Sequence, residues 1–209
     1  MPGFAVIDYG AGNTRSVVNA CRAAGANPLV VADGDQLRAM WPSWIVMPGV
    51  GAVGSAMASL RERRLIGPLE ELVHGAGVPF LGICVGMQLL ATRCREFGDH
   101  AGLNWIPGQV NRIAAEGSGV RVPHVGWNNI LVDRTDADDF LLSTGDGEHF
   151  YFQHSFAFAP DDPATVLAWS DYAGPFVCAV RRGNIAGVQF HPEKSGAVGR
   201  AVLAAFAKT

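Results

Sequence analysis

The sequence predicts an α/β fold, with a central, mostly parallel sheet flanked by helices and an antiparallel portion added to it. Two patterns carry this reading. In the first half, short apolar runs alternate with segments of helical period, as they do where helices cross over between parallel strands. In the second half the apolar runs follow one another through short links such as "RRGN", as antiparallel strands do.

Taken in order, "FAVIDYG" is a short apolar strand ending at Gly10, "NTRSVVNACRAAG" is a helix with a glycine stop, and "PLVVAD" is a second strand. "SWIVMPG" gives a third strand, and one helix is expected through "SAMASLRERRLIGPLEELVHGAG". "VPFLGI" is a fourth strand, with another helix starting at about Val85. Strand candidates then crowd together: "GQVNRIA", "HVGWNNILV", "HFYFQHSFAF", "ATVLAWSDY", "FVCAVRRGN" and "IAGVQFHPE". An amphipathic helix, "AVGRAVLAAFAK", follows them. No repeat, low-complexity stretch or linker divides the chain, so residues 1–209 are read as a single domain.

With 209 residues, 49% of them apolar, the chain can bury a sizeable core. Only 17% of residues are charged and the net charge is −3, which leaves no electrostatic footprint for nucleic acid or an anionic membrane surface. Small molecules or another protein are the expected partners. No window approaches the ~18 apolar residues of a membrane span, and no basic segment precedes an apolar stretch at the start, so a cytosolic location is expected. Cys21, Cys84, Cys94 and Cys178 are widely spaced with no C-x-x-C pair, which argues against a disulfide framework and a zinc site. No metal or cofactor is expected.

The chemistry concentrates at "GICVG", where a strand runs straight into a helix through G-x-C-x-G. This matches, with sulfur in place of oxygen, the tight turn that lifts a nucleophile above a sheet. Gly82 and Gly86 stand where side chains would collide. The turn sets the Cys84 sulfur at the start of the next helix, whose partial positive charge favours a negative sulfur. It also aims the Val85 N–H at an oxyanion forming on an attacked carbonyl. A lone cysteine between strand and helix is more often core, and "VQFHPEKSG" is what shifts the balance. There an apolar strand ends in His191, which Pro192 biases toward extended backbone. If Glu193 continues that geometry, the period of two puts His191 and Glu193 on one side of the chain. A carboxylate then orients an imidazole that takes a proton from a thiol, which is the logic of a catalytic triad.

"GVGAVG", residues 49 to 54, also fits the dinucleotide-binding pattern G-x-G-x-x-G. That reading is disfavoured, because two strands precede it, Pro48 sits in the turn, and no acidic residue ends the next strand. "PGVG" reads better as the second oxyanion donor, the N–H of Val50 after a local peptide rearrangement, with Gly51 letting a substrate approach the backbone.

"PGVG", "GICVGMQLL" and "QFHPEKSG" together resemble the class I glutamine amidotransferases, with their nucleophile elbow. Within that family, "IDYGAGNTRSV", "VPHVGWN", "FYFQHSF" and "FHPEKSGAVG" resemble the glutaminase subunits of imidazole glycerol phosphate synthase, a histidine-pathway enzyme, from about Ala5 to the final helix. The resemblance implies that Cys84 attacks the side-chain amide of glutamine, that His191 acts as base and then protonates the departing ammonia, and that Glu193 orients His191. It implies an oxyanion hole at Val50 and Val85, and glutamine recognition by Gly51, Gln88, His154, Ser155 and Phe156. It also implies a heterodimer that passes ammonia to a (β/α)₈ barrel cyclase subunit, which makes imidazole glycerol phosphate and aminoimidazole carboxamide ribotide (AICAR). The docking face would include Asn13, Trp127 and Lys194, although Trp127 alone reads equally well as a core aromatic. Phe156 stands where relatives often carry tyrosine, Val85 where they often carry leucine, and "ATRCREFGDHAGLN" is less acidic than the family pattern. Two other readings stay open: a glutaminase subunit of another synthase, such as that of the pyridoxal phosphate pathway, and a noncatalytic binding module on the same fold.

Overall fold

The apolar runs of the first half become the strands β1 (Phe4–Ile7), β2 (Pro28–Val31), β3 (Trp44–Gly49) and β4 (Phe80–Cys84) in a computed structural model that describes residues 3–117, 119–133, 141 and 147–208. Between and after them lie the helices α1 (Thr14–Ala23), α2 (Gly34–Met40), α3 (Val53–Glu62), α4 (Ile66–Glu70) and α5 (Val85–Gln88). The second half supplies β5 (Arg93–Cys94), β6 (His100–Ala101), β7 (Gly108–Arg112), β8 (His124–Asn129), β9 (Leu131–Val132), β10 (His149–His154) and β11 (Phe156–Pro160). It continues through β12 (Val166–Asp171), β13 (Pro175–Arg182) and β14 (Ile185–Val188) to helix α6 (Gly196–Phe206).

Strands β2, β1, β3, β4 and β14 lie side by side, all parallel. Every residue of β3, β4 and β14 is buried, which is why these strands read as continuous apolar runs: helices cover both faces. Each fully buried Phe80, Leu81 or Ile83 side chain contributes about 1.5–3 kcal/mol of transfer free energy to this core. Beyond β14 the sheet turns antiparallel through β13, β11 and β7, with β12 also pairing β13. Strands β8 and β10 form a separate antiparallel pair.

Several local features differ from the sequence expectation. Helix α2 was not anticipated, although Asp33 accepts the Gln36 N–H at 2.9 Å and Gln36 Oε1 accepts the Ala32 N–H at 3.1 Å, much as in a capping box. The long helix expected up to Gly77 breaks at Arg64, whose φ of 54° is left-handed, and restarts with Pro68 in its first turns. The elbow helix α5 stops after four residues because the carbonyls of Leu89, Leu90 and Ala91 are taken by N–H groups of residues 103 to 106. The segment "ATRCREFGDHAGLN", for which no element is expected from sequence, holds the small β5–β6 hairpin. "HFYFQHSFAF" is two strands in two sheets, turning at Ser155, where the Phe156 carbonyl accepts side-chain hydrogen bonds.

Among the described glycines, the closest backbone approach lies beneath the elbow. A Cβ added to Gly86 would run into the Met47 carbonyl, and one added to Gly82 into the Gly86 carbonyl. Gly86→Ala is therefore expected to destabilise the fold by at least about 2 kcal/mol in urea unfolding, because backbone and not a side-chain tip must yield. Gly75→Ala, with open space around its Cβ, is expected to be neutral or stabilising. Equal midpoints for the two variants would contradict this packing.

Candidate active site

The parallel strands β3, β4 and β14 end side by side, with Gly49 in register with Cys84 and Ile83 with Val188. This is the carboxyl edge where open α/β sheets carry their sites. Cys84 has φ 56° and ψ −109°, a conformation that costs a residue with a Cβ on the order of 1–3 kcal/mol. The sheet on one side and α5 on the other hold it there, and the strained turn puts the sulfur at the floor of a cavity of about 310 Å³.

His191 follows β14 and enters the same cavity. Its backbone N–H is bound to the Tyr151 carbonyl at 2.9 Å, and its carbonyl accepts the Ser195 hydroxyl at 2.7 Å. Glu193 does not continue an extended chain as expected: Pro192–Lys194 is a 3₁₀ turn, begun by proline at a position where no N–H is needed. The turn still brings Glu193 Oε1 to 2.8 Å from His191 Nδ1, with both side chains buried. Burial alone would lower the His191 pKa. Hydrogen bonds to Cys84 and Glu193, with their negative charges, outweigh it and push the value up to about 9. Imidazole, sulfur and carboxylate thus meet as acid or base, nucleophile and orienting group.

The cavity is lined by Cys84, His191, Val50, Gly51, Val85, Gln88, His154, Ser155 and Phe156, so nine of the ten catalytic, oxyanion and substrate residues proposed from sequence share one space. The tenth, Glu193, sits behind His191. Asn13, Trp127 and Lys194 lie outside it. Asn13 is exposed and caps α1, its side chain accepting the Ser16 N–H at 3.2 Å. Trp127 is 57% exposed, so the core alternative does not hold. Lys194 donates to Gln153 Oε1 at 2.9 Å and lies over the Tyr151 ring, which also meets Trp127 edge-on. A larger apolar cavity of about 450 Å³, near Phe158, Trp169 and Phe176, holds no cysteine, histidine or carboxylate among the described residues.

Sequence reasoning missed Glu96 and Phe97, which line the active cavity from the β5–β6 hairpin. Burial raises the Glu96 carboxyl above the usual carboxylate range, offset in part by the Val53 backbone at the start of α3. Nothing in the spacing of "CREFGDH" signals this, because α3 lies far away in sequence.

Behind the substrate residues lies a buried pair of histidines. His154 Nδ1 donates to the Phe156 carbonyl at 2.9 Å, and His154 Nε2 is 3.0 Å from His124 Nδ1. The His124 ring stacks on Tyr172 at 3.9 Å. Burial holds both histidines down at about 4, so both are neutral at pH 7. A carbonyl only accepts, so His154 carries its proton on Nδ1 and accepts at Nε2 the proton of His124 Nδ1. The unfolded histidine value is about 6.5, so the unfolded chain binds more protons than the folded one below that pH. Stability is therefore expected to fall as pH drops from about 6.5 to about 5. The urea midpoint measured across that window checks it, and a His124→Gln variant is expected to show a shallower slope.

The chain matches the family Glutamine amidotransferase class-I over residues 5–208. "Imidazole glycerol phosphate synthase subunit HisH" of Caulobacter vibrioides is 45% identical, with 99% of this chain and 98% of the relative covered. The protein of the same name from Zymomonas mobilis is 46% identical over 97% of this chain and 93% of the relative. In structure, a chain of PurLQS from Thermotoga maritima superposes with a TM-score of 0.75 at 19% identity, covering 100% of this chain and 99% of that one. The strained cysteine turn, the cavity above it and these matches over nearly the whole length place the chain in the class I glutamine amidotransferase family.

Proposed function

We propose that residues 1–209 form the cytosolic glutaminase subunit of imidazole glycerol phosphate synthase, hydrolysing glutamine and handing ammonia to a cyclase subunit in histidine biosynthesis. The observation that carries the chemistry is Cys84, held in a strained turn, with His191 in the same cavity and hydrogen-bonded to Glu193. The relatives at 45% and 46% identity support the choice of synthase over other acceptor pathways.

In this reading the Cys84 sulfur attacks the carboxamide carbon of glutamine, a C–S bond forms, and the oxyanion is held by the N–H groups of Val50 and Val85. As the C–N bond breaks, the proton on His191 passes to the nitrogen, which leaves as ammonia. Neutral His191 then takes a proton from water, the hydroxide attacks the thioester, and the C–S bond breaks to give glutamate and the original sulfur. Gly51, Gln88, His154, Ser155 and Phe156 hold the substrate. Glu96, a carboxylate at the cavity wall, has the charge to meet the α-ammonium group of glutamine.

Ammonia released to water is protonated and loses its nucleophilicity, so transfer needs a docked partner. Asn13, Trp127 and Lys194 are proposed as part of that face, where a tryptophan, a tyrosine and a lysine combine apolar area with charge. The partner is a (β/α)₈ barrel that combines the ammonia with a phosphoribulosyl-formimino nucleotide.

Glutamate release by this chain is expected to rise by orders of magnitude when the cyclase barrel and its nucleotide ligand are both present, and to vanish in Cys84→Ala. A stable complex that releases no glutamate would overturn the proposal. Because His191 must carry its proton to the leaving nitrogen, the rate is expected to fall as pH rises through about 9. In Glu193→Gln, which removes a charge that raises the His191 value, this alkaline limb is expected at lower pH.

A further inference from the structure

Beneath the cavity a buried side chain at the start of "QFHPEKSG" reaches the nucleophile. Gln189, next after β14, is fully buried, and its backbone N–H is bound to the Cys178 carbonyl at 2.8 Å. Its Nε2 lies 3.6 Å from Cys84 Sγ, and its Oε1 lies 3.0 Å from Gln88 Nε2. The same Gln88 nitrogen lies 3.0 Å from the Phe156 carbonyl.

The polarity of this chain follows from its far end. The Phe156 carbonyl only accepts, so the Gln88 group facing it is the NH₂. One Gln88 proton goes to that carbonyl and the other to the neighbouring amide, so Gln189 must turn its oxygen toward Gln88. Its NH₂ then faces the sulfur. Were the Gln189 amide reversed, two NH₂ groups would meet and an oxygen would face the sulfur, leaving buried donors without acceptors.

We propose that Gln189 is a further catalytic residue, whose side-chain N–H donates to the Cys84 sulfur and holds it in place through attack and thioester breakdown. The proposal rests on Cys84 being the nucleophile. A neutral amide transfers no proton, so its contribution is to meet negative charge on sulfur when the proton is on His191 and again when the C–S bond breaks. Gln189 does not line the cavity, so it acts on the sulfur and not on the bound glutamine. Gln88, with both amide protons spent, has only its acceptor Oε1 left to offer the substrate.

Two variants test this in the full chain. Gln189→Glu keeps an acceptor for Gln88 and replaces the donor at sulfur by an oxygen, and Gln189→Leu removes both groups. Circular dichroism and urea midpoints establish that each is folded. Cys84 alkylation by iodoacetamide at neutral pH, read by mass spectrometry, needs neither glutamine nor partner. Both folded variants are expected to react about ten- to a hundredfold more slowly, the worth of one hydrogen bond to a charged group. In the complex with the cyclase barrel, kcat is expected to fall by a similar factor with KM little changed. Alkylation and kcat at the wild-type level in either folded variant would overturn the assignment, because a merely structural amide affects neither. If wild-type Cys84 reacts no faster than buried Cys178, the glutaminase reading itself fails, and this inference with it.

Discussion

Everything at this site depends on one steric fact: the backbone passes from β4 into α5 through a space too small for any side chain at Gly82 or Gly86. That crowding forces Cys84 into a left-handed conformation with its Cβ directed out of the sheet. The strain is sustained by the surroundings, since β3 and β14 pair with β4 on either side and their residues are all buried. The same three strand ends then deliver Val50, Cys84 and His191 to one cavity. The fold places the groups, and the elbow aims the sulfur.

Around the sulfur, hydrogen bonds of fixed direction do what chain geometry alone cannot. Two histidines that line the same cavity are driven in opposite directions. Against the cost of burial, His191 is raised by hydrogen bonds to Cys84 and Glu193 and by their charges, while His154, without an anionic partner, is lowered chiefly by burial. One is a proton carrier at neutral pH and the other a neutral strut. The Phe156 carbonyl sets the orientation of two side chains at once, the His154 ring and the Gln88 amide. The position of that carbonyl follows from the turn at Ser155, where the chain leaves the β8–β10 pair for the main sheet. Strand β10 also accepts the His191 N–H through Tyr151, whose ring lies beside Lys194 and Trp127. The proposed docking face and the imidazole therefore share a strand.

The parallel core was legible because its strands are buried on both faces and its helices are periodic, and the cysteine between glycines was legible because few other turns require that spacing. What sequence could not supply came from contacts distant along the chain. Helix α5 is short because residues 103 to 106 claim its carbonyls, and Glu96 reaches the site because a hairpin folds over α3. The break at Ser155 reads as continuous strand, since alternation does not reveal a change of sheet. Helix α2 is a different case, since the Asp33 and Gln36 spacing that caps it stands in the sequence itself. Glu193 came close to His191 by a 3₁₀ turn where extended chain was expected, so the pairing was reached through the wrong geometry. For Gln189, a glutamine following an apolar strand gives no sign of which way its amide faces.

The central claim is that Cys84 is a nucleophile aimed at the carboxamide carbon of glutamine. The most direct measurement incubates the chain, bound to the cyclase barrel, with a diazo-ketone analogue of glutamine and maps the adduct by peptide mass spectrometry. The account predicts one stoichiometric adduct on Cys84, blocked by excess glutamine, with Cys21, Cys94 and Cys178 unlabelled. An adduct spread over several cysteines, or labelling of Cys84 that glutamine does not prevent, would contradict it.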